Sequence, residues 1–82
     1  MKFGERLRLA RKKHKLSTQQ LSEKCGVSRS YITLIENSKR LPGDQLLYTF
    51  SNVFKLKGKT LISWYLEDIR ESLEEKFAEE SK

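Results

Sequence analysis

The stretch Leu16-Ser-Thr-Gln-Gln-Leu-Ser-Glu-Lys-Cys-Gly-Val-Ser-Arg-Ser-Tyr-Ile-Thr-Leu-Ile-Glu-Asn-Ser-Lys-Arg-Leu-Pro42 decides how the chain is read. Ser17 with Gln20 three residues later is a capping box, which satisfies two orphan backbone donors and opens a helix from Thr18 to about Cys25. Gly26 ends that helix, because only glycine enters the left-handed region without steric cost and so turns the chain sharply. Ser28 is an N-cap for the next helix, Arg29 to Glu36, with Ile32 and Ile35 on its inner side. Two short helices joined by a tight turn form a presenting device. Leu21, Val27, Ile32 and Ile35 fix the crossing, and the small Ser22 lets the helices approach. The second helix then turns Arg29, Ser30, Thr33 and Leu34 outward.

Upstream, Phe3, Leu7, Ala10 and His14 form one stripe of a helix over about residues 2–14, whose other faces are Lys and Arg. Downstream, Lys39 to Gly43 is a basic loop, and Asp44 is expected to cap a fourth helix carrying Leu46, Leu47, Phe50, Val53 and Phe54. A basic connection follows, and Thr60 is expected to open a fifth helix reaching Phe77. Four glycines and one proline are too few for a strand-and-turn architecture, so the fold class is all-α.

Charge narrows the partners. Residues 1–43 carry 11 basic and 3 acidic side chains, net +8, whereas residues 44–82 carry 6 and 8, net −2. The basic half suits a polyanion, nucleic acid or an anionic surface. No apolar run is long enough for a transmembrane helix, and charges at Lys2, Glu5 and Arg6 interrupt any signal-peptide core, so a soluble, cytoplasmic protein is expected. The lone Cys25 excludes an intrachain disulfide. His14, Glu23 and Cys25 do not make a closed ligand set, and neither metal nor cofactor is expected. Nor is an enzyme expected: no nucleophile–histidine pair and no phosphate loop is present. An 82-residue chain buries only about 60 to 65% of its unfolded surface, so added contacts from a second subunit are an early expectation.

On residues 16–42 the sequence resembles the phage repressor and Cro type of helix-turn-helix regulators, the XRE family, and the likeness extends over about residues 3–57. It implies a five-helix lambda-repressor-like DNA-binding domain, here with an extended C-terminal helix, acting as a homodimer on an inverted-repeat operator in double-stranded DNA. Residues 1–58 would be that domain and residues 59–82 an amphipathic dimerisation helix ending in a frayed tail.

Carried over position by position, Arg29, Ser30, Tyr31 and Thr33 would read bases. Arginine suits this because its fork pairs with guanine O6 and N7, a contact worth about 1–3 kcal/mol of discrimination. Thr18, Gln19, Ser28, Asn37, Lys39 and Arg40 would contact phosphates. Arg11 and Glu36 match a pair that in relatives ties the first helix to the end of the recognition helix.

This chain departs from the family pattern at Thr18, where glutamine is frequent, at Ser22 in place of alanine, and at Ser38, where glycine usually follows the Glu-Asn pair. The dimer interface is expected from Ile62, Trp64, Tyr65, Leu66, Ile69 and Leu73, with Phe77 beyond; the alternative is that Leu61, Trp64 and Tyr65 only close the monomer core while the end of the helix frays. The other class of function is a protein-interaction module, whose acidic C-terminal helix and Trp64 and Tyr65 would dock an antagonist or toxin.

Overall fold

A computed structural model describes residues 1–80 of the chain, so Ser81 and Lys82 of the expected tail lie outside the described residues. The elements in order are α1 (Phe3–Lys13), α2 (Thr18–Cys25), α3 (Arg29–Glu36), α4 (Asp44–Phe54) and α5 (Gly58–Glu80), with no strand among the described residues.

The ends of α2 and α3 follow from local chemistry. Ser17 Oγ accepts the Gln20 amide at 3.0 Å while Gln20 Oε1 accepts the Ser17 amide at 2.8 Å, closing the capping box. Gly26 takes the left-handed conformation, φ 68°, and its N–H donates to the Ser22 carbonyl. Ser28 Oγ then accepts the Tyr31 amide at 3.1 Å and starts α3.

The other boundaries differ from expectation. Gly43, not Asp44, is the N-cap of α4, with no side-chain cap, and Asp44 sits in the first turn where its charge faces the positive end of the helix dipole. Helix α5 starts at Gly58, two residues before Thr60, and runs through Glu80, past the expected end at Phe77.

One core joins all five helices. Phe3 and Leu7 from α1, Leu21 from α2, Ile32 and Ile35 from α3, and Phe50 from α4 are fully buried, and Leu61 of α5 is 1% exposed. Helix α1 lies against α3 and α5, α2 against α3 and α4, and α4 against α5. Phe3 is the hub: its ring centroid lies 6.4 Å from Phe50, 6.2 Å from Trp64 and 6.3 Å from Tyr65, the last two edge-on. Trp64 and Tyr65, expected in a dimer interface, therefore pack within their own protomer. They occupy the side of α5 that also carries Leu61, whereas Ile62, Leu66 and Leu73 stay at least half exposed on the neighbouring side and Ile69 is half-buried.

Two of the tertiary contacts that fix α1 lie at its start. Gly4 is buried where α1 crosses the end of α3, so close that a Cβ would collide with the Ile35 carbonyl and stand 2.7 Å from the Glu36 carbonyl. At the start of α1, Lys2 offers no side-chain cap, and the buried carboxylate of Asp68 on α5 instead accepts the Phe3 amide at 2.9 Å. Helix α1 is thus capped from another element. No helix among the described residues is long and apolar enough to cross a membrane.

Candidate nucleic-acid interface

Helix α3 has two faces with separate tasks. Its inner face, Ile32, Ile35 and Glu36, is buried, and on its outer face Arg29, Ser30, Thr33 and Leu34 line one shallow depression. The guanidinium of Arg29 has no intramolecular ion pair among the described residues. Thr33 Oγ1 donates to the Arg29 carbonyl at 3.1 Å, which engages its proton within the helix and leaves its lone pairs and methyl to a ligand. Tyr31 stands at the flank of this depression rather than within it. It is half-buried against the core, and the Arg40 guanidinium sits 6.0 Å over its ring, a cation–π arrangement that holds Arg40 beside the helix.

Glu36 locks the helix in place. It is only 4% exposed, and Arg11 grips it with both nitrogens of its fork, Nε to Oε2 at 2.7 Å and Nη2 to Oε1 at 3.1 Å. The remaining Arg11 nitrogen, Nη1, donates to the Leu16 carbonyl at 2.9 Å, so the same side chain also fixes the entry to α2. Arg8, not singled out in the sequence, adds a second guanidinium: Nε lies 3.4 Å from Glu36 Oε1 and Nη2 donates to Asn37 Oδ1 at 2.9 Å. Its signal is present in hindsight, since Arg8 and Arg11 are three apart on one helical face.

The groups named as phosphate contacts surround the outer face. Gln19, Ser28, Asn37, Lys39 and Arg40 are exposed and Thr18 is half-buried at the first position of α2. Ser28 and Asn37 each already hold one internal hydrogen bond, as cap of α3 and as acceptor from Arg8, so Asn37 keeps its amide N–H groups for another partner. Ser38 adopts φ 60°, the left-handed region that glycine tolerates best. Cys25 is half-buried, and desolvation pushes its thiol up to about 11, far from reactive thiolate. The His14 ring packs 5.3 Å from Phe54. Among the described residues no group of three His, Cys, Asp or Glu side chains is arranged to hold a metal.

A capped helix pair presenting one polar face from a lean five-helix core defines the helix-turn-helix class. The chain belongs to the helix-turn-helix family, whose model matches residues 7–61. It is 34% identical over 73 residues to the HTH-type transcriptional repressor RghR of Bacillus subtilis, an alignment that takes in 85% of this chain and 54% of that protein, so the chain spans about half the length of this curated relative.

Among solved structures it is similar to the P22 c2 repressor in complex with a synthetic operator, with TM-score 0.70 and 31% identity over 74% of this chain and 92% of that one. It is also similar to SinR of Bacillus subtilis, the master regulator for biofilm formation, in complex with DNA, with TM-score 0.67 and 34% identity over 73% and 97%. The SinR–SinI complex matches at TM-score 0.68 and 25% identity over 98% of this chain and 99% of that one.

Proposed function

We propose that the protein is a DNA-binding transcriptional repressor, acting in the cytoplasm as a homodimer on an inverted-repeat operator and without enzymatic chemistry. The observation that carries this reading is the outer face of α3, where Arg29, Ser30 and Thr33 share one depression. Direct readout needs donors and acceptors held at the mouth of a rigid helix, and the buried Glu36 lock supplies the rigidity. Arg29 reads a guanine, and Ser30 and Thr33 meet the neighbouring base edges. Tyr31 joins them at the flank of the depression, with the Arg40 guanidinium 6.0 Å over its ring.

Lys39, Arg40, Gln19, Thr18, Ser28 and Asn37 set the register on phosphates, which carries no sequence information but supplies much of the affinity. Repression follows from occupancy of the site, in keeping with the descriptions of RghR and the P22 c2 protein as repressors.

The homodimer rests on the exposed side of α5. Ile62, Leu66 and Leu73, which are 55%, 57% and 50% exposed, lie on one side of the helix with the half-buried Ile69. A second copy would cover this stripe, and a dimer on an inverted repeat needs its two α3 helices at successive major grooves about 34–36 Å apart. The SinR–SinI match favours a second use of the domain, as the target of a protein partner.

Selection of bound duplexes from a random pool at about 0.15 M salt tests the reading, since surface electrostatics then act only within a Debye length of about 8 Å. An enriched inverted repeat is expected. No enriched sequence would contradict DNA reading and leave protein interaction as the function.

A further inference from the structure

Helix α1 has two working faces. Gly4, Arg8 and Arg11, at helical spacings of four and three, form the face that touches α3 and holds Glu36. Arg6, Leu9, Ala10 and Lys13 form another, and Ala10 stands about 200° around the helix from Arg8. This second face walls a cleft of about 380 Å³, closed on its other side by Phe54 at the end of α4, Leu56 in the connection that follows and Trp64 of α5. A cleft of that size falls within the range of roughly 300–1,000 Å³ typical of small-molecule sites. The function proposed above makes no use of it.

The lining is one-sided in its chemistry. Leu9 is 57% exposed, and Phe54 and Trp64 contribute two aromatic rings. Arg6, Lys13 and His14 supply the nitrogens, and none of the described residues lining the cleft is acidic. Lys13 has no intramolecular ion pair among the described residues. Arg6 Nη2 donates to Glu67 Oε2 at 2.9 Å, yet its Nε is buried with no hydrogen-bond partner, and its guanidinium lies 5.9 Å from the centre of the Trp64 ring. A buried donor left unmet is costly, so this side chain favours an occupant that brings an acceptor.

We infer that the cleft is a binding site for a small aromatic carboxylate, with its ring on the apolar wall and its charge toward Arg6 and Lys13. A cationic ligand would meet only like charge at the rim, and a purely apolar one would leave the Arg6 donor unmet. The cleft faces away from α3, so an occupant leaves the proposed DNA-reading face clear, and the site stands independently of the function proposed above.

The experiment titrates the protein with naphthoate and with naphthamide, its uncharged counterpart, at neutral pH, and follows the amide and indole N–H resonances by NMR. The single tryptophan makes its indole N–H a reporter placed at the cleft wall. Naphthoate is expected to shift this resonance together with the amides of Leu9, Ala10 and Lys13, and naphthamide to bind about five- to tenfold more weakly, the difference between a charged and a neutral hydrogen-bond partner. Leu9→Glu places a carboxylate at an exposed position of the cleft, keeps the fold by circular dichroism, and should lower naphthoate affinity more than about tenfold. Lys13→Gln should lower naphthoate affinity by up to about fivefold and leave naphthamide unchanged.

A Trp64 indole resonance that stays in place at millimolar naphthoate, shifts confined to α3 and the basic loop after it, equal affinity for the acid and the amide, or a Leu9→Glu variant that binds as wild type does would each overturn the inference while leaving the DNA reading intact.

Discussion

The surroundings of α3 and the outer half of α5 treat exposed chemistry in opposite ways. Around α3 the polar groups that fix the helix are met inside the chain: the buried Glu36 lies between Arg11 and Arg8, the exposed Ser17 and Ser28 cap their helices, and Gly4 lets α1 touch the end of α3. Along α5 beyond Trp64, apolar side chains such as Leu66 and Leu73 stand half in water while Asp68 on the buried side ties the helix to the Phe3 amide. The first region is finished by its own sequence and exposes Arg29, Ser30 and Thr33, the face proposed to read DNA. The second leaves an apolar stripe exposed, which the proposed dimer would cover. Monomer stability and assembly are therefore separable, and substitutions in the two regions should fail differently.

The largest effect is expected at Glu36. Replacing it with alanine leaves the guanidinium of Arg11, whose side chain is only 12% exposed, without its counter-charge. Breaking a buried pair costs about 3–5 kcal/mol, a large share of the stability of a domain this small, so Glu36→Ala should melt at a much lower temperature by circular dichroism. A cooperative, near-wild-type melt would show that the lock is dispensable.

Gly4→Ala comes next, because the added methyl meets backbone that cannot rotate away. Overpacking of this kind costs about 1–3 kcal/mol, and urea denaturation should show the midpoint fall accordingly. An unchanged midpoint would mean that α1 slides freely over α3.

On α5 the same measurements should stay quiet. Leu66→Glu with Leu73→Glu lies on the exposed side, where substitutions usually move stability by no more than about 0.5 kcal/mol, yet sedimentation equilibrium should report a change from dimer to monomer mass. A retained dimer mass would place the interface elsewhere. The smallest effect is a gain. Ser38 holds φ 60°, so Ser38→Gly should relieve left-handed strain and raise stability by about 0.5–1 kcal/mol, seen as a Tm higher by about 2–8 °C. A lower Tm would show that the serine side chain contributes more than the strain costs.

Which parts of this were legible in the sequence follows from where the determining forces act. The limits of α2 and α3 depend on groups within three or four residues, Ser17 with Gln20, Gly26 and Ser28, and these read directly. Gly43, which caps α4 with backbone alone, gives no such signal, and Asp44 next to it draws the reading one residue too far. Asp68 reads as one more acid on an acidic helix, and only the packing of α5 against α1 turns it into a cap.

Trp64 and Tyr65 show the same limit. On a helix covered on one side and apolar on two, periodicity finds the apolar positions but does not say which side meets the core. Arg8 is only weakly legible, since its spacing from Arg11 puts both on one helical face while their shared partner lies 28 residues from Arg8. The outer face of α3 was legible, since a helix with its inner positions assigned leaves Arg29, Ser30, Thr33 and Leu34 by subtraction.

The most direct test of base reading by α3 compares wild type with Arg29→Ala on two duplexes at about 0.15 M salt, one carrying the selected sequence and one a scrambled version of it. Arg29→Ala should lose about 5- to 150-fold on the selected duplex, the equivalent of about 1–3 kcal/mol, and little on the scrambled one, with an unchanged circular dichroism spectrum. Equal losses on both duplexes, or no loss on either, would contradict the assignment of Arg29 as the residue that reads the operator.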